Sequence, residues 1–120
     1  MKKILIVEDD PVARQILNAR LKPMYQVFAT SDALGAFSEA RKQQPDLIIL
    51  DLGLPAGGGL SVLQRVKSIP SLSVIPVLVI SGLDQAIHEP KAREAGADAY
   101  LQKPPSEATL IATVKALLGE

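Results

Sequence analysis

Solid apolar runs alternate with helically spaced apolar residues along this chain. Ile4 to Val7, Val27 with Phe28, Leu47 to Leu50, Val77 to Ile80 and Ala99 to Leu101 are short and show no in/out alternation. They predict strands of a parallel sheet covered on both faces. Between them, Val12, Ile16 and Leu17 mark one helix face, Ala33, Ala36, Phe37 and Ala40 a second, and Leu60, Leu63 and Val66 a third. A fourth helix is expected between Asp84 and Ala95, stopped at Gly96, where a left-handed conformation is free of steric penalty. Leu110, Val114, Leu117 and Leu118 carry the last helix at i, i+4, i+7 and i+8. Regular strand-helix alternation predicts an α/β fold, a five-stranded parallel sheet with five helices divided between its faces. Ser68 to Ile75, bracketed by Pro70 and Pro76, reads as the longest irregular stretch.

Composition narrows the classes. At 120 residues, one domain over 1–120 is expected, burying roughly two-thirds of the surface of its unfolded chain. Without cysteine there is neither a disulfide framework nor a thiolate zinc site. Thirteen basic and thirteen acidic residues cancel, and two Phe with two Tyr leave little to stack on bases, so nucleic-acid binding by this chain is not expected. The apolar run after Met1-Lys2-Lys3 is stopped by three acids after four residues, unlike a signal peptide, and nothing approaches the roughly 20 apolar residues of a membrane helix. A cytoplasmic protein that does not engage the membrane is expected.

Chemistry collects where the strands end. Glu8, Asp9 and Asp10 follow the first run, Asp51 the third, Ser81 the fourth and Lys103 the fifth. Carboxyl ends of parallel strands share one edge of the sheet, where open α/β folds place ligands. Carboxylates suit a hard divalent cation, while a lysine and a hydroxyl suit phosphoryl oxygens. Each residue also has a plain structural use. Asp9-Asp10-Pro11 is a good helix start, Asp51 can open the turn through Gly53 and Pro55, Ser81-Gly82 can begin a loop, and Lys103 can be a solvated charge. It is their joint occurrence at the same end of successive strands that points to a site. Two other motifs are set aside. Gly53 and Gly58 meet the spacing of a phosphate loop, but Gly59 stands where its lysine is required. His88, the only histidine, has no second histidine or cysteine for a metal site and reads as a surface residue.

Ile4-Leu-Ile-Val-Glu-Asp-Asp-Pro11, Asp51-Leu-Gly-Leu-Pro55, Ile80-Ser81-Gly82, Gly96-Ala-Asp-Ala-Tyr100 and Lys103-Pro104, in this order and spacing, resemble the receiver domain of two-component response regulators over essentially the whole chain. The resemblance implies the flavodoxin-like strand order 2-1-3-4-5, which brings Glu8 and Asp9 beside Asp51. It implies a phosphoacceptor role for Asp51, with a sensor histidine kinase or phosphotransfer protein as donor. Mg²⁺ would be bound by Asp9 and Asp51 with the Gly53 backbone carbonyl, and by Glu8 through water. Lys103 and Ser81 would contact phosphoryl oxygens, the Lys103-Pro104 bond would be cis, and Tyr100 would be the switch aromatic that moves inward. A downstream protein or output domain would then dock on the fourth helix, fifth strand and fifth helix.

Two departures from the family pattern stand out. Gly58 replaces a frequent aspartate, so the loop after Asp51 should be looser. Pro90 falls inside the fourth helix, which is therefore expected to start late, near Glu89 or Pro90. Three other readings compete. A flavin-type cofactor binder would need a phosphate-embracing first loop, which Glu8-Asp9-Asp10 would repel. A phosphatase with an aspartyl intermediate would usually carry its nucleophile after the first strand and add a cap, for which the length leaves no room. A phosphate-independent interaction module would have no need of the full residue set.

Overall fold

The computed structural model describes residues 1–55 and 58–120. In chain order it contains β1 (Lys3–Val7), α1 (Pro11–Leu21), β2 (Gln26–Thr30), α2 (Ala33–Gln43), β3 (Leu47–Leu50), α3 (Gly58–Ser68), α4 (Pro70–Ser73), β4 (Val77–Ser81), α5 (Gln85–Glu94), β5 (Ala99–Gln102) and α6 (Glu107–Leu117). The sheet is wholly parallel in the order β2-β1-β3-β4-β5, as the resemblance implied. All five runs form strands, but full burial is confined to the interior of the sheet: every residue of β3 and β4 is buried, whereas the edge strands β2 and β5, also read as buried, are partly exposed because each has a neighbour on one side only.

Two apolar layers sandwich the sheet. On one face Ile4, Ile6, Ile49, Leu78 and Ile80 pack with Leu17 and Leu21 of α1 and Leu110 and Val114 of α6. On the other, Leu5, Val7, Ile48, Leu50 and Val79 pack with residues of α2, α3 and α5. Within α1 the apolar spacing partly misleads: Leu17 is buried, but Val12 and Ile16 are 62% and 45% exposed. Leu21 takes the place on the core-facing stripe that Val12 was expected to hold.

The helix count exceeds the expected five by a single turn, α4, which converts much of the stretch read as irregular. Pro70 occupies its first position, where a missing N–H is harmless. Lys67 secures the region by donating to the carbonyls of Ser73 (3.4 Å) and Ile75 (2.9 Å) and to Asp98 (3.1 Å).

The late start expected for α5 is wrong. The helix begins at Gln85, because Asp84 caps it: its carboxylate accepts from the Ala86 amide at 3.0 Å, and its carbonyl accepts from Ile87 at 3.2 Å and His88 at 2.9 Å. Pro90 therefore lies inside the helix and leaves the Ala86 carbonyl without its i+4 donor. Glu89 braces both sides of the defect, accepting from Gln85 and from Arg93 at 2.7 Å each, contacts that hold its carboxyl below the ordinary range. The predicted stop is present, with Gly96 at φ +110°.

Gly58 opens α3 and does not belong to the preceding loop; the looseness expected after Asp51 concerns residues 56–57, outside the described ones. Gly59 has a specific use. A Cβ there would fall 2.4 Å from Leu52 Cα and 2.5 Å from the Asp51 carbonyl oxygen, so only glycine lets α3 lie against the backbone beside Asp51.

Candidate functional site

The sheet ladder carries the acidic residues to one place. Val7 pairs with Leu50 in the β1-β3 register, so the next residues, Glu8 and Asp51, emerge side by side. The Asp51 amide donates to the Val7 carbonyl at 3.0 Å, and the Glu8 amide to Thr30 at 3.0 Å. Carboxylate oxygens of Glu8, Asp9 and Asp51 all lie within 4.8 Å of one another. On the far side, the Lys103 amide continues the β4-β5 ladder by donating to the Ser81 carbonyl at 2.8 Å. Its ammonium group then reaches Glu8 Oε1 at 2.5 Å and Asp51 Oδ2 at 3.2 Å.

Local structure separates the two aspartates of the first loop. Asp10 is the helix cap, accepting from the Val12 and Ala13 amides at 3.4 and 3.3 Å, with Pro11 at the first helical position. Asp9 is exposed and turned to the acidic cluster. The ordinary capping use read from Asp9-Asp10-Pro11 thus belongs to Asp10 alone.

Burial makes the cluster electrostatically tense. Glu8 and Asp51 are 1% and 7% exposed. Burial pushes the Glu8 carboxyl up to about 7, with the neighbouring Asp51 acting in the same direction and Lys103 against it. Burial also works against the charge on Lys103, but Glu8 and Asp51 outweigh it and hold the ammonium above its ordinary range. Three convergent carboxylates with a single lysine form a hard, oxygen-rich and net negative site. That donor set fits a divalent cation such as Mg²⁺, which favours carboxylate oxygens and retained water.

The other expected residues lie around this cluster. Ser81 is fully buried, its hydroxyl accepting from the Leu83 amide at 3.0 Å. The Gly53 amide donates to Asp51 Oδ1 at 2.9 Å, fixing that carboxylate's rotamer. The Lys103-Pro104 peptide is cis. Tyr100 already lies inward, 5% exposed within the α5-side layer, and its hydroxyl is buried without a partner among the described residues. His88 stands apart from the cluster and is half-buried instead of on the surface, lining with Leu52, Leu60, Leu83 and Lys91 a cavity of about 200 Å³.

One residue of the site was not singled out from sequence. Arg14, in the first turns of α1, donates through Nη1 to the carbonyls of Glu8 at 2.9 Å and Asp9 at 3.5 Å. Its only signal was a basic residue four positions after a capping aspartate, which is too common to notice.

Comparison with known proteins agrees with this geometry. Residues 4–115 match the family described as response regulator receiver domain. The polar-differentiation response regulator DivK of Brucella anthropi is 32% identical over 99% of this chain and 98% of its own length. The signal receiver domain of a signal transduction histidine kinase from Syntrophus aciditrophicus superposes with a TM-score of 0.89 at 32% identity, covering 99% and 91% of the two chains. The receiver domain of a Pseudomonas aeruginosa sensor histidine kinase, solved with a magnesium ion coordinated in its active site cleft, gives 0.89 at 27% identity over 99% and 98%.

Proposed function

The chain belongs to the response regulator receiver domain family, and on that premise we propose that Asp51 accepts a phosphoryl group from a phosphohistidine of a sensor histidine kinase or phosphotransfer protein in the cytoplasm. A carboxylate oxygen of Asp51 forms the new P–O bond as the P–N bond to the donor imidazole breaks, and the imidazole leaves with the bonding pair and takes up a proton. The observation that carries this reading is the bridging of Glu8 and Asp51 by one lysine at the carboxyl edge of the sheet.

Asp9 and Asp51, with the Gly53 carbonyl, would ligate Mg²⁺, and Glu8 would hold it through water. When bound, the ion supplies positive charge that screens the carboxylates from an anionic donor. Asp51 is held by the Gly53 amide and presents its other oxygen toward Lys103. Lys103 can follow the charge from Glu8 and Asp51 to the phosphoryl oxygens, since its stem is flexible and its three donors are not fixed in a plane. The Ser81 hydroxyl, now accepting from Leu83, has its own proton free to donate to a second oxygen.

Phosphorylation raises the negative charge at Asp51 and rewards an arrangement in which Ser81 and Lys103 both turn toward it. Ser81 closes β4 and Tyr100 lies on β5, so the rearrangement reaches α5, β5 and α6, where Leu83 and Ile87 are 39% and 53% exposed. A downstream protein or output domain would dock on that face. The chain acts as a switch and not as a turnover enzyme, apart from its own phosphorylation and dephosphorylation.

Asp51→Asn tests the reading. The variant should keep its fold and lose labelling by a phosphorylated kinase domain and by a small acyl phosphate. Undiminished labelling would reject Asp51 as acceptor, and absence of labelling in the parent protein with Mg²⁺ would favour a phosphate-independent module.

A further inference from the structure

Asp9 is the least anchored acid of the cluster. Glu8 is buried and held by Lys103, and Asp51 receives hydrogen bonds from Gly53 and Lys103. Asp10 is occupied as the α1 cap. The Asp9 side chain is exposed and takes no hydrogen bond among the described residues. The positions its carboxylate can reach therefore depend on its backbone, that is, on the two peptide planes that meet at its Cα and set where Cβ lies.

One atom reaches both planes. Arg14 Nη1 donates to the Glu8 carbonyl, in the plane before Asp9 Cα, at 2.9 Å, and approaches the Asp9 carbonyl, in the plane after it, at 3.5 Å. The first is a full hydrogen bond and the second lies at the outer limit of one. Arg14 is itself seated by α1, its amide donating to the Asp10 carbonyl at 3.0 Å. The guanidinium thus spans the three-residue turn from inside the helix and, together with the Asp10 amide, which donates to Glu8 Oε2 at 3.3 Å, restrains φ and ψ of Asp9.

We propose that Arg14 is a positioning residue of the cation site, holding the Glu8–Asp9 and Asp9–Asp10 peptides so that the Asp9 carboxylate is presented to Asp51 before any ion arrives. This rests on the proposed Mg²⁺ site. Residues that orient ligands without touching the ion commonly alter affinity about tenfold or more when removed. The positive charge of Arg14 has the opposite tendency, because it repels a divalent ion. The two effects can be told apart, since Arg14→Lys keeps the charge but gives up the reach of the planar guanidinium.

The test is a Mg²⁺ titration followed by amide resonances of Asp9, Asp51 and Gly53 in the parent, Arg14→Ala and Arg14→Lys proteins, with backbone order parameters of Asp9 measured without the ion. Unchanged resonances of Ile48 and Ile49 verify the sheet. Positioning requires weaker binding in Arg14→Ala, by about tenfold, a loss at least as large in Arg14→Lys, which keeps the repelling charge without the guanidinium's reach, and a lowered Asp9 order parameter in both variants. Equal or tighter binding in Arg14→Ala, with Arg14→Lys matching the parent, would show Arg14 to act as a charge alone and overturn the inference. If the parent itself does not bind Mg²⁺, the cation site fails and the inference falls with it.

Discussion

The Lys103 ammonium lies 2.5 Å from a Glu8 carboxylate whose side chain is only 2% exposed, while the lysine keeps 26% of its own side chain in contact with solvent. A buried acid is thus held by a cation that can still leave. Lys103→Ala should lower stability by about 1–3 kcal/mol; the loss falls short of that for a fully buried broken pair because Glu8 can escape by taking a proton. Urea denaturation at pH 8 and pH 5.5 should show the larger loss at pH 8. Equal losses at both would show that Lys103 does not offset the Glu8 charge.

The Glu8 carboxyl supplies a second prediction. Its pKa is raised from 4.5 to about 7, so the fold binds this proton more tightly than the open chain does. Its contribution to stability is fully present below about 4.5 and is lost as pH rises through about 7. A cation that needs the carboxylate form has the opposite preference and must displace the proton. Mg²⁺ affinity should therefore rise from pH 5.5 to pH 8, with proton release detectable by calorimetry in buffers of differing ionisation enthalpy. Glu8→Gln should flatten much of the pH dependence. A flat profile in the parent would mean that Glu8 is already ionised at pH 5.5.

What was legible in the sequence follows from which interactions are local or periodic. β3 and β4 were readable because strands covered on both faces cannot alternate, and Leu47–Leu50 needed no correction. The joint placement of Glu8, Asp51 and Lys103 followed from strands ending at a common edge. Val12 and Ile16 misled because a helical period states which residues share a face, not how far that face extends toward the core. Pro90 misled because its intrinsic penalty was weighed without the Asp84 cap and the Glu89 braces, both exposed polar contacts with weak sequence signatures. Arg14 was illegible because its partners are backbone carbonyls, which every residue possesses.

Tyr100 gives a third prediction. Its hydroxyl is buried without a partner among the described residues, a desolvated polar group that carries an unfavourable term in the folded state. Tyr100→Phe should therefore raise stability by about 1 kcal/mol, seen as a shifted urea midpoint with unchanged slope. A loss of stability would require a hydrogen bond to a bound water that supports the hydroxyl.

The last prediction concerns α5. Pro90 removes one backbone donor from the middle of this helix, and the Ala86 carbonyl opposite it receives no i+4 bond. The braces through Glu89 lie on solvated side chains, where water screens them and leaves them weak. Ala92 is the sole fully buried residue of α5, so little packing resists opening of its first turn. The amides of Ile87 and His88, which donate to Asp84, should consequently exchange much faster than those of Ile48 and Ile49 in the sheet. Pro90→Ala restores the missing donor and removes a residue disfavoured in helix interiors by about 3 kcal/mol relative to alanine. Exchange at Ile87 and His88 should then slow by about tenfold or more, while that of Ile48 and Ile49 stays the same. Slow exchange in the parent, or no slowing in the variant, would mean that tertiary packing and not the proline controls this helix.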